Sequence, residues 1–129
     1  MVYLVDDDED DIALVREALF IHSYKGPVDT ANNGRVLMEK LVKHEVDPDV
    51  IVMDLNMPVK NGFDTLKEIK TNPLLKDIPI IILTASSSKT DEGRCFELGC
   101  DYFYSKPVAL EDYVPLVHMV KRLVSKSTP

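Results

Sequence analysis

Two apolar tetrads, Val50-Ile51-Val52-Met53 and Ile80-Ile81-Ile82-Leu83, constrain the fold of this 129-residue chain more than any other feature. Near-continuous aliphatic runs this short suit strands covered on both faces, as in a parallel sheet. Segments of helical spacing lie between and around them. Residues 8–21 carry Ile12, Val15, Ala18 and Leu19 at helical intervals, and residues 34–44 carry Leu37, Met38 and Leu41 on one face. A third predicted helix follows Asn61-Gly62, with Phe63, Leu66 and Ile69, and ends at Asn72-Pro73. Ser88 is the expected N-cap of a fourth, with Asp91 at its third position and Gly99 as its stop. Gly93 inside that helix lowers its stability. The fifth, over residues 110–124, puts Tyr113, Val117, Val120 and Val124 on one stripe and accepts Pro115 in its first turn. Residues 2–5, 28–31 and 101–104 read as further strands. Alternating strands and helices imply βαβ units whose right-handed crossovers place helices on both faces. The expected fold class is therefore α/β, a three-layer αβα sandwich around a five-stranded parallel sheet. One domain spans residues 1–124, with a frayed tail at 125–129.

Composition narrows the function. The chain has 22 acidic and 15 basic residues, a formal charge of −7. That argues against nucleic-acid binding, which depends on Lys and Arg neutralising phosphates. No apolar run approaches the ~20 residues of a membrane helix. Met1-Val2-Tyr3-Leu4-Val5 lacks the basic flank of a secretory signal, so a cytoplasmic location is expected. Cys95 and Cys100 form no CxxC motif and are expected as free, buried thiols. His22, His44 and His118 lack metal-ligand spacing.

Ligands of open parallel sheets bind beyond the carboxyl ends of the strands. Asp6, Asp7 and Asp8 follow the first predicted strand, and Asp54, Asn56 and Met57-Pro58 follow the third. Thr84 and Ser86 follow the fourth, and Lys106-Pro107 the fifth. Carboxylates crowded on one edge repel, and a hard divalent cation relieves the conflict. One of them, Asp54, can attack phosphorus to make an acyl phosphate. Thr84 can donate a hydrogen bond to the phosphoryl group, and Lys106 can pair with it as a point charge. Phosphoryl transfer needs little beyond such positioning and charge neutralisation. Spacing alone leaves Asp6-Asp7 and Asp7-Asp8 both open as the acidic pair.

Val5-Asp6-Asp7, Met53-Asp54-Leu55-Asn56-Met57-Pro58 with Gly62, Leu83-Thr84-Ala85 and Lys106-Pro107 resemble the receiver domain of two-component response regulators, over nearly the whole chain. The resemblance implies the strand order 2-1-3-4-5 of the flavodoxin-like fold. It implies Mg²⁺ held by Asp6, Asp7, Asp54 and the backbone carbonyl of Asn56, with Asp54 as phosphoacceptor. It favours Asp6 and Asp7 as the acidic pair, and implies a cis Lys106-Pro107 bond. Thr84 and Phe103 would form its switch, Phe103 replacing the more usual tyrosine and lacking a hydroxyl. Such a protein takes its phosphoryl group from a sensor histidine kinase or a histidine phosphotransfer protein. It catalyses only its own phosphorylation and dephosphorylation, so it is not classed as an enzyme. With no output domain after Pro129, it would signal to an unknown output protein as a monomer or weak dimer. Asp10-Asp11 makes the first loop unusually acidic, which resembles stand-alone receivers linked to phytochrome-like or hybrid sensor kinases, or simply a charged helix start. The main alternative is a receiver-fold interaction module that takes no phosphate. A flavodoxin-like cofactor binder would want a phosphate cradle where Asp6-Asp7-Asp8 stands. A haloacid-dehalogenase-type phosphatase would want an acid where Asn56 stands.

Overall fold

A computed structural model describes residues 1–86 and 88–127. Five strands, β1 (Val2–Val5), β2 (Val28–Ala31), β3 (Val50–Met53), β4 (Ile80–Thr84) and β5 (Tyr102–Ser105), alternate with helices α1 (Glu9–Ile21), α2 (Gly34–Val42), α3 (Gly62–Lys70), α4 (Lys89–Glu97) and α5 (Val114–Ser127). All pairings are parallel, in the order β2-β1-β3-β4-β5. Every residue of β1, β3 and β4 is buried, as expected for strands covered on both faces. Alternation sends Tyr3, Val5, Ile51, Met53, Ile80 and Ile82 into a core with α2, α3 and Cys95 of α4. Val2, Leu4, Val50, Val52, Ile81 and Leu83 pack on the other side against α1 and α5. Phe103 joins the first core and Tyr102 and Tyr104 the second, a register fixed by Ile82 pairing with Phe103.

Helix ends follow local chemistry. Asp8, Asn33, Asn61 and Ser88 each cap a helix by accepting backbone N–H groups, worth about 1 kcal/mol apiece. Three helices close on a left-handed residue, Ser23, His44 and Gly99. In each case the following N–H reaches back into the last turn: Tyr24 to Leu19, Glu45 to Lys40 and Cys100 to Cys95. The second helix therefore stops at Val42, two residues before the expected His44, because His44 (φ 56°) has already turned out of it.

The last helix also departs from expectation. Leu110–Tyr113 forms a 3₁₀ turn, and α5 begins only at Val114. Pro115 has no N–H to give the carbonyl four residues back, so the preceding turn tightens, with Val114 N–H bonding Glu111 O. At its far end α5 runs to Ser127, not Val124. No glycine or proline interrupts the sequence between Pro115 and Pro129. Of the expected tail, residues 128 and 129 lie outside the described residues. No described helix is long and apolar enough to cross a membrane.

Candidate phosphoryl and metal site

The carboxyl edge of the sheet gathers the expected residues. Asp6 is the first residue beyond β1, Asp54 beyond β3 and Lys106 beyond β5. Backbone bonds lock these ends together. Asp54 N–H donates to Val5 O (2.9 Å), Asp6 N–H to Ala31 O (3.1 Å) and Lys106 N–H to Thr84 O (2.7 Å). Oxygens of Asp6, Asp7 and Asp54 lie within 4.8 Å of one another, a group able to hold a cation. Asp6 and Asp54 are buried and Asp7 is exposed, so the triad has one open side. All-oxygen donors of this kind suit a hard divalent ion that keeps some of its waters.

Asp8 does not belong to this group. Its carboxylate accepts from Asp10 N–H and Asp11 N–H as the cap of α1, so the carboxylates that gather with Asp54 are those of Asp6 and Asp7. Asp6 Oδ1 accepts from Asp8 N–H at 2.9 Å, so the loop holds this carboxylate still. Leu55 N–H donates to Asp54 Oδ1 at 2.7 Å and fixes that carboxylate. Behind it, a Cβ on Gly62 would sit 2.3 Å from Asp54 O and 2.7 Å from Leu55 Cα. Only glycine lets α3 begin so close to the acid. Between them Val59 takes φ 68° and Lys60 N–H bonds Pro58 O at 2.7 Å, a γ-turn that strains a β-branched residue.

Lys106 is the hub. Its Nζ lies 2.9 Å from Asp6 Oδ2, 3.0 Å from Asp54 Oδ2 and 2.7 Å from Asp11 Oδ2. Burial pulls the ammonium down, but its contacts with the Asp11, Asp6 and Asp54 carboxylates outweigh it and raise its pKa above that of free lysine. Burial pushes the Asp6 carboxyl above its ordinary value, against the pull of Lys106 and the Asp8 N–H. Asp11 was not singled out by sequence as a site residue. As the third residue of α1 it looks like any acid placed to favour a helix start. Its available signal was Lys106, a lone cation expected opposite several acids.

Thr84 is fully buried at the end of β4, and its Oγ1 accepts from Ser86 N–H at 3.4 Å. Ser86 Oγ in turn donates to Asp91 Oδ2 at 2.8 Å, tying this loop to α4. Phe103 lies outside the charged cluster, half-buried on the same sheet face as Ile82. Asn56 is exposed in the loop after Asp54. The Lys106-Pro107 bond is trans, as there are no cis peptides among the described residues. This corrects the expected cis bond: trans is the intrinsically favoured form by about 0.5–1 kcal/mol, and Lys106 reaches all three carboxylates from it.

A family model, the response regulator receiver domain, matches residues 2–118. Response regulator Rcp1 of Synechocystis sp. is 31% identical over 126 residues, covering 94% of this chain and 86% of Rcp1. The structure of the phosphorylated cyanobacterial phytochrome response regulator RcpA aligns with a TM-score of 0.88 at 31% identity, over 98% of this chain and 95% of RcpA. The Mn²⁺-bound form of Rcp1 aligns with a TM-score of 0.85 at 29% identity, over 99% and 96% of the two chains. Other relatives are far longer. The chain spans 5% of hybrid signal transduction histidine kinase M of Dictyostelium discoideum, to which it is 33% identical over 126 residues and 95% of its own length. It spans 25% of a probable cyclic di-GMP phosphodiesterase of Vibrio cholerae. With its strand order, its acid triad and its lysine in place, the chain belongs to the response regulator receiver family.

Proposed function

We propose that this chain is a phosphoacceptor response regulator that takes a phosphoryl group onto Asp54, with Mg²⁺, from the phosphohistidine of a sensor kinase or a histidine phosphotransfer protein. The observation that carries the reading is one lysine set between Asp54 and Asp6, beside an acid triad with an open side. Leu55 N–H holds Asp54 Oδ1, so Oδ2 is the oxygen placed to attack. The new P–O bond forms as the P–N bond breaks, and its electron pair returns to the imidazole, which takes a proton from solvent. Lys106 is then placed to pair with a phosphoryl oxygen in exchange for one of its carboxylate contacts. Bound Mg²⁺, held by Asp6, Asp7, Asp54 and the Asn56 carbonyl, supplies charge neutralisation and orientation of the phosphoryl oxygens. The protein catalyses only its own phosphorylation and dephosphorylation.

The output follows from Thr84 and Phe103. Among the described residues, Thr84 Oγ1 has a single 3.4 Å bond, from Ser86 N–H, to release before it can turn to the phosphoryl group. Phe103 shares its face of the sheet and can fill the space vacated. That change alters the surface of α4, β5 and α5 for a protein partner. A partner shifts such an equilibrium only by its differential affinity for the two states. The protein works in the cytoplasm, without nucleic acid, as a monomer or weak dimer.

Intact-protein mass spectrometry after incubation with acetyl phosphate tests the reading. A Mg²⁺-dependent phosphoryl adduct, absent in Asp54→Asn, is expected. Folded protein that binds Mg²⁺ yet forms no adduct would instead make this a receiver fold kept as a constitutive binding module.

A further inference from the structure

We infer that Asp11 meters Lys106: its carboxylate competes with an arriving phosphoryl group for the ammonium and so sets how readily Asp54 is modified. The inference rests on the phosphoacceptor reading and adds a positioning residue to it.

An ammonium has three N–H donors and no more. In this structure two of them donate, to Asp11 (2.7 Å) and Asp54 (3.0 Å), and Asp6 lies 2.9 Å from Nζ as an ion pair. A phosphoryl oxygen that pairs with the ammonium must therefore compete with three carboxylates already within 3.0 Å of it. Asp6 and Asp54 have other bonds, to Asp8 N–H and Leu55 N–H, and both belong to the acid triad. Asp11 stands outside the triad, and Lys106 is the one partner its carboxylate bonds among the described residues. Its place is set by the helix. Asp8 caps α1, so Asp11 falls on the third helical position, half-buried and one turn along from the metal-facing acids.

The arrangement has two consequences of opposite sign. The Asp11 charge adds to the negative field that draws a cation to the triad. The same charge neutralises the lysine that would draw a phosphoryl group. Removing it must therefore weaken cation binding and ease phosphorylation together. A residue that merely stabilised the fold would worsen both.

The test compares the native chain with Asp11→Asn, Asp11→Glu and Asp10→Asn. Asp10 is exposed, one residue away, and carries the same charge without a bond to Lys106. Calorimetry measures Mg²⁺ binding. Intact mass at saturating Mg²⁺ gives the acetyl phosphate concentration for half-modification. In that reaction the Asp54 O–P bond forms as the acetyl P–O bond breaks and its electron pair leaves with acetate. Asp11→Asn is expected to bind Mg²⁺ severalfold more weakly yet to need severalfold less acetyl phosphate. Asp11→Glu and Asp10→Asn should stay close to native in both. Circular dichroism checks each fold, and Asp11→Ser carries the same expectation if the asparagine variant does not fold. Native values in Asp11→Asn, equal shifts in Asp10→Asn, or a higher acetyl phosphate requirement in Asp11→Asn would each overturn the inference alone. No adduct on the native chain would overturn the phosphoacceptor reading and this inference with it.

Discussion

Two lysines sit at the centres of polar knots at opposite edges of the same sheet, and they do different work. Lys70, at the end of α3, donates to Lys76 O (3.1 Å), Ile78 O (2.9 Å) and Asp101 Oδ2 (3.1 Å). Asp101 Oδ2 also accepts from Ile80 N–H at 2.8 Å, so this knot ties the loops that lead into β4 and β5. One carboxylate balances one ammonium there, and carbonyl dipoles complete the shell. At the carboxyl edge, Lys106 faces three carboxylates, with Asp7 close by. The charge at the amino edge is closed, while the charge at the carboxyl edge is left negative. The first arrangement suits a fastening; the second suits the cation and phosphoryl chemistry proposed for it.

The largest test of this contrast is Lys106→Met. Without divalent ions it leaves buried acids facing one another, and a loss of about 3 kcal/mol in urea unfolding is expected. Mg²⁺ should restore much of that loss, because the cation takes over the neutralisation. Lys70→Met should cost about 1–2 kcal/mol, since carbonyls and Asp101 lose a donor, and Mg²⁺ should not change the deficit. Equal Mg²⁺ rescue of both variants would break the comparison.

Alkaline titration sharpens it further. The Lys106 pKa is raised in the fold, so its stabilisation is complete below the unfolded value near ~10.4 and is lost as pH climbs through the folded one. Burial pushes Cys95 to about 11 and Cys100 to about 12, so they add a loss of the same sign beginning near the unfolded thiol value of ~8.5. Unfolding free energy against pH should therefore fall less steeply above pH ~10 in Lys106→Met, leaving the part carried by the thiols and by Tyr3, Tyr24 and Tyr113, whose pKa values burial also raises. The smallest effect lies on α4. A Cβ on Gly93 would meet nothing within 4 Å, and Gly93→Ala should stabilise by about 0.5–1 kcal/mol in thermal unfolding. If α4 must stay loose for output, the same variant will narrow the difference in partner affinity between the two states.

Sequence reached the elements whose signals are local. The apolar tetrads, the Ser88 cap and the Gly99 stop needed no distant partner to be read. Asp6, Asp7, Asp54 and Thr84 were legible because each follows or ends a strand, where a parallel sheet presents its chemistry. What escaped depends on pairing across the fold. Asp11 and Lys106 are 95 residues apart, and neither side chain announces the other. Lys70 and Asp101 are likewise paired across 31 residues. The 3₁₀ turn before Val114 was hidden because Pro115 is compatible with a first helical turn but does not say where that turn begins.

The six-residue stretch from Asp6 to Asp11 holds five aspartates and one glutamate, and the fold gives neighbouring members different tasks. Asp6 and Asp7 serve the triad, Asp8 caps the helix, and Asp11 meets Lys106. Their chemistry is nearly interchangeable, so their phase relative to Val5 distinguishes them. A single inserted or deleted residue here would leave the composition almost unchanged and reassign every task at once. Length is therefore the constrained property of this segment, and it should tolerate exchange of one acid for another far better than any change in spacing.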